Sequence, residues 1–444
     1  MFALDDPLER PGELIRLELE QREQEGYDVS ELRTRFHPGD HLSEGDLAAF
    51  FERAEGLVRR ASWPYVEPSE WDQIVTELPA NRVQLPALRL SDEELRDRIL
   101  GAWLGRCAGC LLGKPVEGWV RKEDIERYLR AAGSYPLDGY IPWHETAPGA
   151  ERLRDKQRQL RGHIRGMVRD DDIDYMILAL NLLEQRGPQF SSEEVAAQWL
   201  HLLPYRQVYT AERAAYRNLV NRIWPPRSAT WRNPFREWIG AQIRGDVFGY
   251  VAPGRPDLAC AMAYRDARVS HVGNGIYGEL FAAALVSAAF VVSSPREAVE
   301  RALEWVPARS RLAEAIREVM GWTGETRDWE RLYQRIDERW GRYHWIHTIN
   351  NAAVVTMALL VGEGDYERSI TIAVMCGYDT DCNGATVGSV LGAMLGRREL
   401  PHPWVEPLED RLESSVRGYE RSRISDLAYR TFLQVGEVMR VSQP

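Results

Sequence analysis

The 444-residue sequence reads as an all-α protein, and three observations predict that class. Apolar residues recur at spacings of three and four through most long segments, whereas strand-like alternation is rare. Helix-start chemistry is written out locally, as in Ser91-Asp92-Glu93-Glu94, where a serine is followed three residues later by a glutamate. Glycine returns at every fourth position in two separate stretches, Gly101, Gly105, Gly109 and Gly113, and Gly384, Gly388, Gly392 and Gly396. A glycine inside a helix costs up to about 1 kcal/mol relative to alanine. Four of them on one ridge therefore predict a neighbouring backbone that comes very close.

Taken in order, residues 1–90 read as a helical N-terminal extension packed on the rest. Gly12 to Phe36 is helical and heavily charged, and Leu42 to Arg60 carries Leu47, Phe50, Phe51 and Leu57 on an amphipathic face. Trp63-Pro64 to Pro68 breaks that pattern. The helix begun at Ser91 runs through the first glycine ridge and ends at Gly113-Lys114-Pro115-Val116-Glu117-Gly118, a turn that carries Glu117. Residues 134–165 are rich in loop signals. Helices are expected over 193–224, Phe235 to Ile243, Leu258 to Arg268, Ile276 to Val292, Pro295 to Trp305, Arg311 to Trp322, Trp329 to Arg339, Asn350 to Val361 and Tyr366 to Cys376. A loop is expected from Gly245 to Gly254, spanning Phe248, Gly249 and Tyr250.

Composition narrows the function. Charged residues make up 28% of the chain and the formal net charge is −11, which argues against a nucleic-acid-binding surface. Five cysteines are few and unpatterned for a disulfide framework, so a reducing, cytoplasmic setting is expected. Met1 to Arg10 is acidic and lacks a basic segment followed by an apolar run, so no leader is expected there. No apolar run reaches membrane-spanning length. Cys107-Ala108-Gly109-Cys110 is a C-x-x-C without a second pair, and reads as small core residues on the glycine ridge.

Two acidic clusters carry the chemistry. Asp379-Thr380-Asp381 precedes the second glycine ridge, and Asp170-Asp171-Asp172, with Asp174 beyond, opens the apolar run Tyr175 to Leu183. First-turn amide groups and the helix dipole favour negative charge at such places. Carboxylates this close repel one another, so a hard cation is the expected compensator, and an all-oxygen set suits Mg²⁺, Mn²⁺ or Ca²⁺ over zinc. Asp379-x-Asp381-x-Asn383-Gly384 also matches the start of an EF-hand loop. Its last position would be Val390 where a bidentate glutamate is required, so that reading fails. His271, just ahead of a helix, is a candidate to hold a substrate phosphate or hydroxyl.

In this order, Gly101-Ala102-x-x-Gly105, Gly109, Gly113-x-Pro115-x-Glu117, Asp171-Asp172, Ser270-His271 and Gly377-x-Asp379-Thr380-Asp381 resemble the ADP-ribosylglycohydrolase family, of the dinitrogenase-reductase-activating type. The resemblance covers roughly residues 91–400, and residues 91–444 would form its catalytic domain. It implies an orthogonal multi-helix bundle, a two-magnesium site and hydrolysis of the C1″ N- or O-glycosidic bond of ADP-ribosyl compounds. It implies Asp171, Asp172, Asp379 and Asp381 as metal ligands, with Asp170 and Cys382 at positions where the family usually has threonine ligands. Glu117 would be the mobile glutamate, catalytic together with Asp171, Asp172 and Asp381. His271 would be the pocket histidine. Phe248, Gly249 and Tyr250 fall in the block that holds ADP-ribose, here without its Met-Arg pair. The implied partner is a small-molecule or ADP-ribosylated substrate. A different small N- or O-glycoside, or a non-catalytic binding role, are the alternatives.

Overall fold

A computed structural model describes Leu8 and residues 10–37 and 42–441 of the chain. Residues 1–7 and 9, on which the reading of a leaderless start rests, lie outside the described residues. The architecture is all-α. Among the described residues the named strands are Leu412–Glu413 and Arg421–Ser422, one short antiparallel pair.

The centre of the fold is the helix pair Asp92–Gly113 and Thr380–Leu395, the most extensive helix contact in the molecule. Ser91 starts the first helix as expected: its hydroxyl accepts from the Glu94 amide at 3.3 Å, and the Glu94 carboxylate accepts from the Ser91 amide at 2.8 Å. The two glycine ridges then meet antiparallel, Gly101 on Gly392, Gly105 on Gly388 and Gly109 on Gly384. A Cβ built on Gly109 would lie 2.5 Å from the Gly384 carbonyl carbon and closer still to its oxygen. Only a residue without a side chain permits that approach. The same contact sets Gly113 against Thr380, which brings the end of one helix onto the start of the other.

Around this pair pack the buried helix Asn274–Ala289, the helices Thr348–Gly362 and Tyr366–Met375, and the C-terminal helix Ile424–Met439. Trp103 anchors the last of these through its indole N–H to the Thr431 hydroxyl at 3.0 Å. No helix among the described residues is long and apolar enough to cross a membrane.

The N-terminal helices Pro11–Gln24 and Glu44–Glu55 form a small core of their own, in which Leu14, Ile15, Phe50 and Phe51 pack with Ala211, Ala214, Phe235 and Trp238. Buried ion pairs fasten this layer. Arg236 binds Glu18 at 2.7 Å and Glu25 at 2.8 Å, and Arg311 binds Glu67 at 2.9 Å and Glu237 at 2.7 Å.

Two local expectations are corrected. The helix expected from Phe235 to Ile243 is absent; a 3-10 segment runs over Ile239–Arg244 instead. The backbone there pairs with another segment: the Ile239 amide donates to the Ile346 carbonyl at 2.9 Å, and the Thr348 amide to the Glu237 carbonyl at 3.2 Å. Conversely, Phe248, Gly249 and Tyr250 lie in a helix, Asp246–Val251, and not in a loop. Gly249 there is a contact residue that fits against Val286 and Ala283, so its turn-like appearance in the sequence misleads.

Candidate metal centre

Both acidic clusters sit at helix starts, as their sequences require, and the ridge contact brings the two starts together. Asp170 is the N-cap of Asp171–Arg186; its Oδ1 accepts from the Asp172 amide at 2.9 Å. Asp379 precedes Thr380–Leu395 after two residues in the left-handed region, Gly377 at φ 71° and Tyr378 at φ 56°. That conformation is costly for a tyrosine. It is held in place by the Tyr378 hydroxyl on Asp337 at 2.6 Å. Asn351 fixes the turn further, its Oδ1 accepting from the Asp379 amide at 3.1 Å and from Asn383 Nδ2 at 2.8 Å.

Two groups of possible ligand atoms result, each within 4.8 Å: Cys110, Asp170, Asp172 and Asp381, and Asp379, Asp381 and Cys382. All are buried. Asp172 and Cys382 touch across 210 residues of sequence, the thiol donating to Asp172 Oδ2 at 3.2 Å. Arg106, fully buried, braces Asp172 through Oδ1 at 3.0 Å and also bonds Asp246. Lys114 pairs with Asp170 Oδ2.

The electrostatics follow from the crowding. Burial, then the neighbouring Asp170 and Asp171 against the pull of Arg106, pushes Asp172 well above the carboxylate range. Burial, Glu117 and Asp379 do the same to Asp381, and burial raises Asp379 to about 6. Burial also pushes Asp170 up, but the Lys114 ammonium overrides it and holds that carboxyl below its ordinary value. Asp381 Oδ1 is buried without a hydrogen-bond partner. Excess carboxylate charge with an orphaned oxygen fits an oxygen-preferring divalent cation.

The remaining expected residues are placed as follows. Asp171 is half-buried at the rim and joins neither group. Cys382 keeps its proton, because burial and Asp172 push the thiol well up, and a thiol suits a hard cation poorly. Glu117 shows exposed surface, yet the protein packed around its carboxyl raises it to about 7 against Lys114, with Asp379, Asp170 and Asp171 adding to the rise. His271 lies in another buried cluster: its Nδ1 meets the Ser270 hydroxyl at 2.8 Å, Glu212 is 4.0 Å away, and Nε2 has no partner. Burial and Arg244 hold it neutral. Phe248, Gly249 and Tyr250 are buried in the core. Phe248 packs on Phe190, and the Tyr250 hydroxyl bonds Ser389 at 2.6 Å, so neither side chain offers a ligand-binding surface.

The sequence reading missed three participants. Arg106 and Cys110 on the ridge helix, and Lys114 at the start of the 3-10 turn that continues it, recur at intervals of four beside the glycine ridge, and that side meets the carboxylates. The spacing was the available signal; Cys110 was read as core and faces the acidic group.

An all-α scaffold with buried aspartates gathered at paired helix starts is an arrangement that fits a cation in the interior. The ADP-ribosylglycohydrolase family model matches residues 91–439, and the chain belongs to that family. A protein of Archaeoglobus fulgidus, described only as uncharacterized, is 29% identical over 329 residues, covering 72% of this chain and 93% of that protein. A solved structure titled ADP-ribosylglycohydrolase-related protein complex superposes with a TM-score of 0.48 at 22% identity, covering 77% of this chain and 99% of that one.

Proposed function

We propose that this chain is a metal-dependent hydrolase of the C1″ N- or O-glycosidic bond of ADP-ribosyl compounds, using Mg²⁺, with Mn²⁺ or Ca²⁺ as substitutes. The observation that carries the reading is Asp381 Oδ1, a buried and unpartnered oxygen among aspartates from two distant helix starts. Asp379 and Asp381 would hold the cation, with Asp172 beside them. Bound there, it would orient the ribose hydroxyls and acidify a water molecule. Arg106 fixes the orientation of Asp172, and Asn351 fixes the turn that presents Asp379. Glu117, raised to about 7 and open to solvent, is matched to giving or taking a proton near neutral pH. Asp171, on the open side, would face the substrate with it.

A second reading keeps the chemistry and changes the glycoside to a smaller N- or O-riboside. It is favoured by Phe248, Gly249 and Tyr250 being in the core rather than in a presented loop. Hydrolysis of ADP-ribosyl-arginine, ADP-ribosyl-serine and simple N-ribosides with Mg²⁺ separates the two. Failure to turn over any of them with metal demonstrably bound would remove the hydrolase reading.

A further inference from the structure

The face formed by Arg106, Cys110 and Lys114 does more than neutralise the aspartates. Lys114 extends from the 3-10 turn Lys114–Val116 that continues the ridge helix, and its ammonium pairs with Asp170 Oδ2. Through Asp170 the ammonium reaches the edge of the group Cys110, Asp170, Asp172 and Asp381. Both Asp170 oxygens already accept a hydrogen bond, Oδ1 from the Asp172 amide and Oδ2 from the Lys114 ammonium, so a cation at Oδ2 would have to displace or repel the lysine's charge. Of the other members, Asp172 Oδ1 accepts from Arg106, Cys110 offers a thiol, a poor donor to a hard cation, and Asp381 is shared with the second group. The second group is different. Among the described residues, no lysine or arginine forms an ion pair with Asp379 or Asp381, and Asp381 Oδ1 is the buried atom without a partner.

We infer that the Lys114 ammonium is a built-in substitute for one of the two cations, so that this chain holds a single divalent ion on the Asp379–Asp381 side. Asp170 and Lys114 form the compensating pair. Asp170 brings one negative charge, and the lysine sets one positive charge against it. The pair opposes a cation in the first group electrostatically, because a like charge already sits on Asp170.

The inference rests on the metal-site reading above, and the test separates the two. The full-length chain is stripped with chelator and reloaded with Mn²⁺; bound metal is counted by elemental analysis, and the spin environment is read by electron paramagnetic resonance. One Mn²⁺ per chain with the six-line spectrum of an isolated ion is expected. Lys114→Met frees Asp170 and should raise the count to two, with the six-line signal lost to exchange coupling. Lys114→Arg keeps the charge and should hold the count at one. Two coupled ions in the unaltered chain would overturn the inference while leaving the hydrolase reading standing. No bound Mn²⁺ would overturn both. A folded Lys114→Met or Lys114→Gln variant that still binds one ion would show that the ammonium is not what excludes the second.

Discussion

Replacing Gly109 with alanine tests whether the ridge contact is what assembles the molecule. The new methyl carbon would sit 2.5 Å from the Gly384 carbonyl carbon, against rigid helix backbone on both sides, so no side chain can swing away to relieve it. Restoring van der Waals contact near 3.5 Å means separating the two helices by about 1 Å along their most extensive interface. Overpacking of this kind costs about 1 to 3 kcal/mol where side chains relax, and a backbone clash belongs at or above the top of that range. Alanine's higher helix propensity returns up to about 1 kcal/mol, so the net loss should be about 2 kcal/mol or more. Gly321→Ala is the control. It lies within the helix Arg311–Glu325, and a Cβ there meets nothing within 4 Å. It should be neutral or stabilising by up to about 1 kcal/mol. Denaturant midpoints followed by tryptophan fluorescence give both values. If Gly109→Ala and Gly321→Ala shift the midpoint equally, the close approach is not what holds these helices.

Three further outcomes follow from the same geometry. Asp381→Asn should abolish Mg²⁺-induced thermal stabilisation and lower turnover, yet stabilise the metal-free protein, because it removes a carboxyl whose ionisation burial, Glu117 and Asp379 disfavour; a less stable metal-free variant would contradict the crowding argument. Burial raises Asp379 to about 6 from an ordinary 3.8, so without metal its contribution to stability is present below pH 3.8 and is lost as pH rises through about 6. A cation binds the ionised form, so the melting-temperature rise produced by Mg²⁺ should grow between pH 5 and 7 with proton release on binding; calorimetry showing a pH-independent rise would refute it. Arg311→Ala strands Glu67 and Glu237 as buried, unpaired carboxylates, and should cost about 3 to 5 kcal/mol and open residues 1–90 to limited proteolysis; an unchanged digestion pattern would show that this pair does not fasten the layer.

The features legible in the sequence were those set by neighbours a few residues away. The Ser91 capping box, the acidic helix starts at Asp170–Asp172 and Asp379–Asp381, and the demand for a close partner along each glycine ridge all follow from local chemistry. The misread segments were those whose backbone or side chains are satisfied from far away. Glu237 to Ile239 pair with Ile346 to Thr348 and so do not form a helix, while Gly249 serves a contact with Val286 and not a turn.

The sequence alone determined that the chain is helical, that two acidic clusters open helices where a cation would offset their repulsion, and that each glycine ridge needs a bare backbone opposite it. The tertiary structure decided that the ridges pair with each other, and hence that Gly113 meets Thr380 and the two acidic starts share one interior. It also decided which oxygens remain free. That depends on where the long side chains of Arg106 and Lys114 end, several bonds from a backbone whose position only packing fixes.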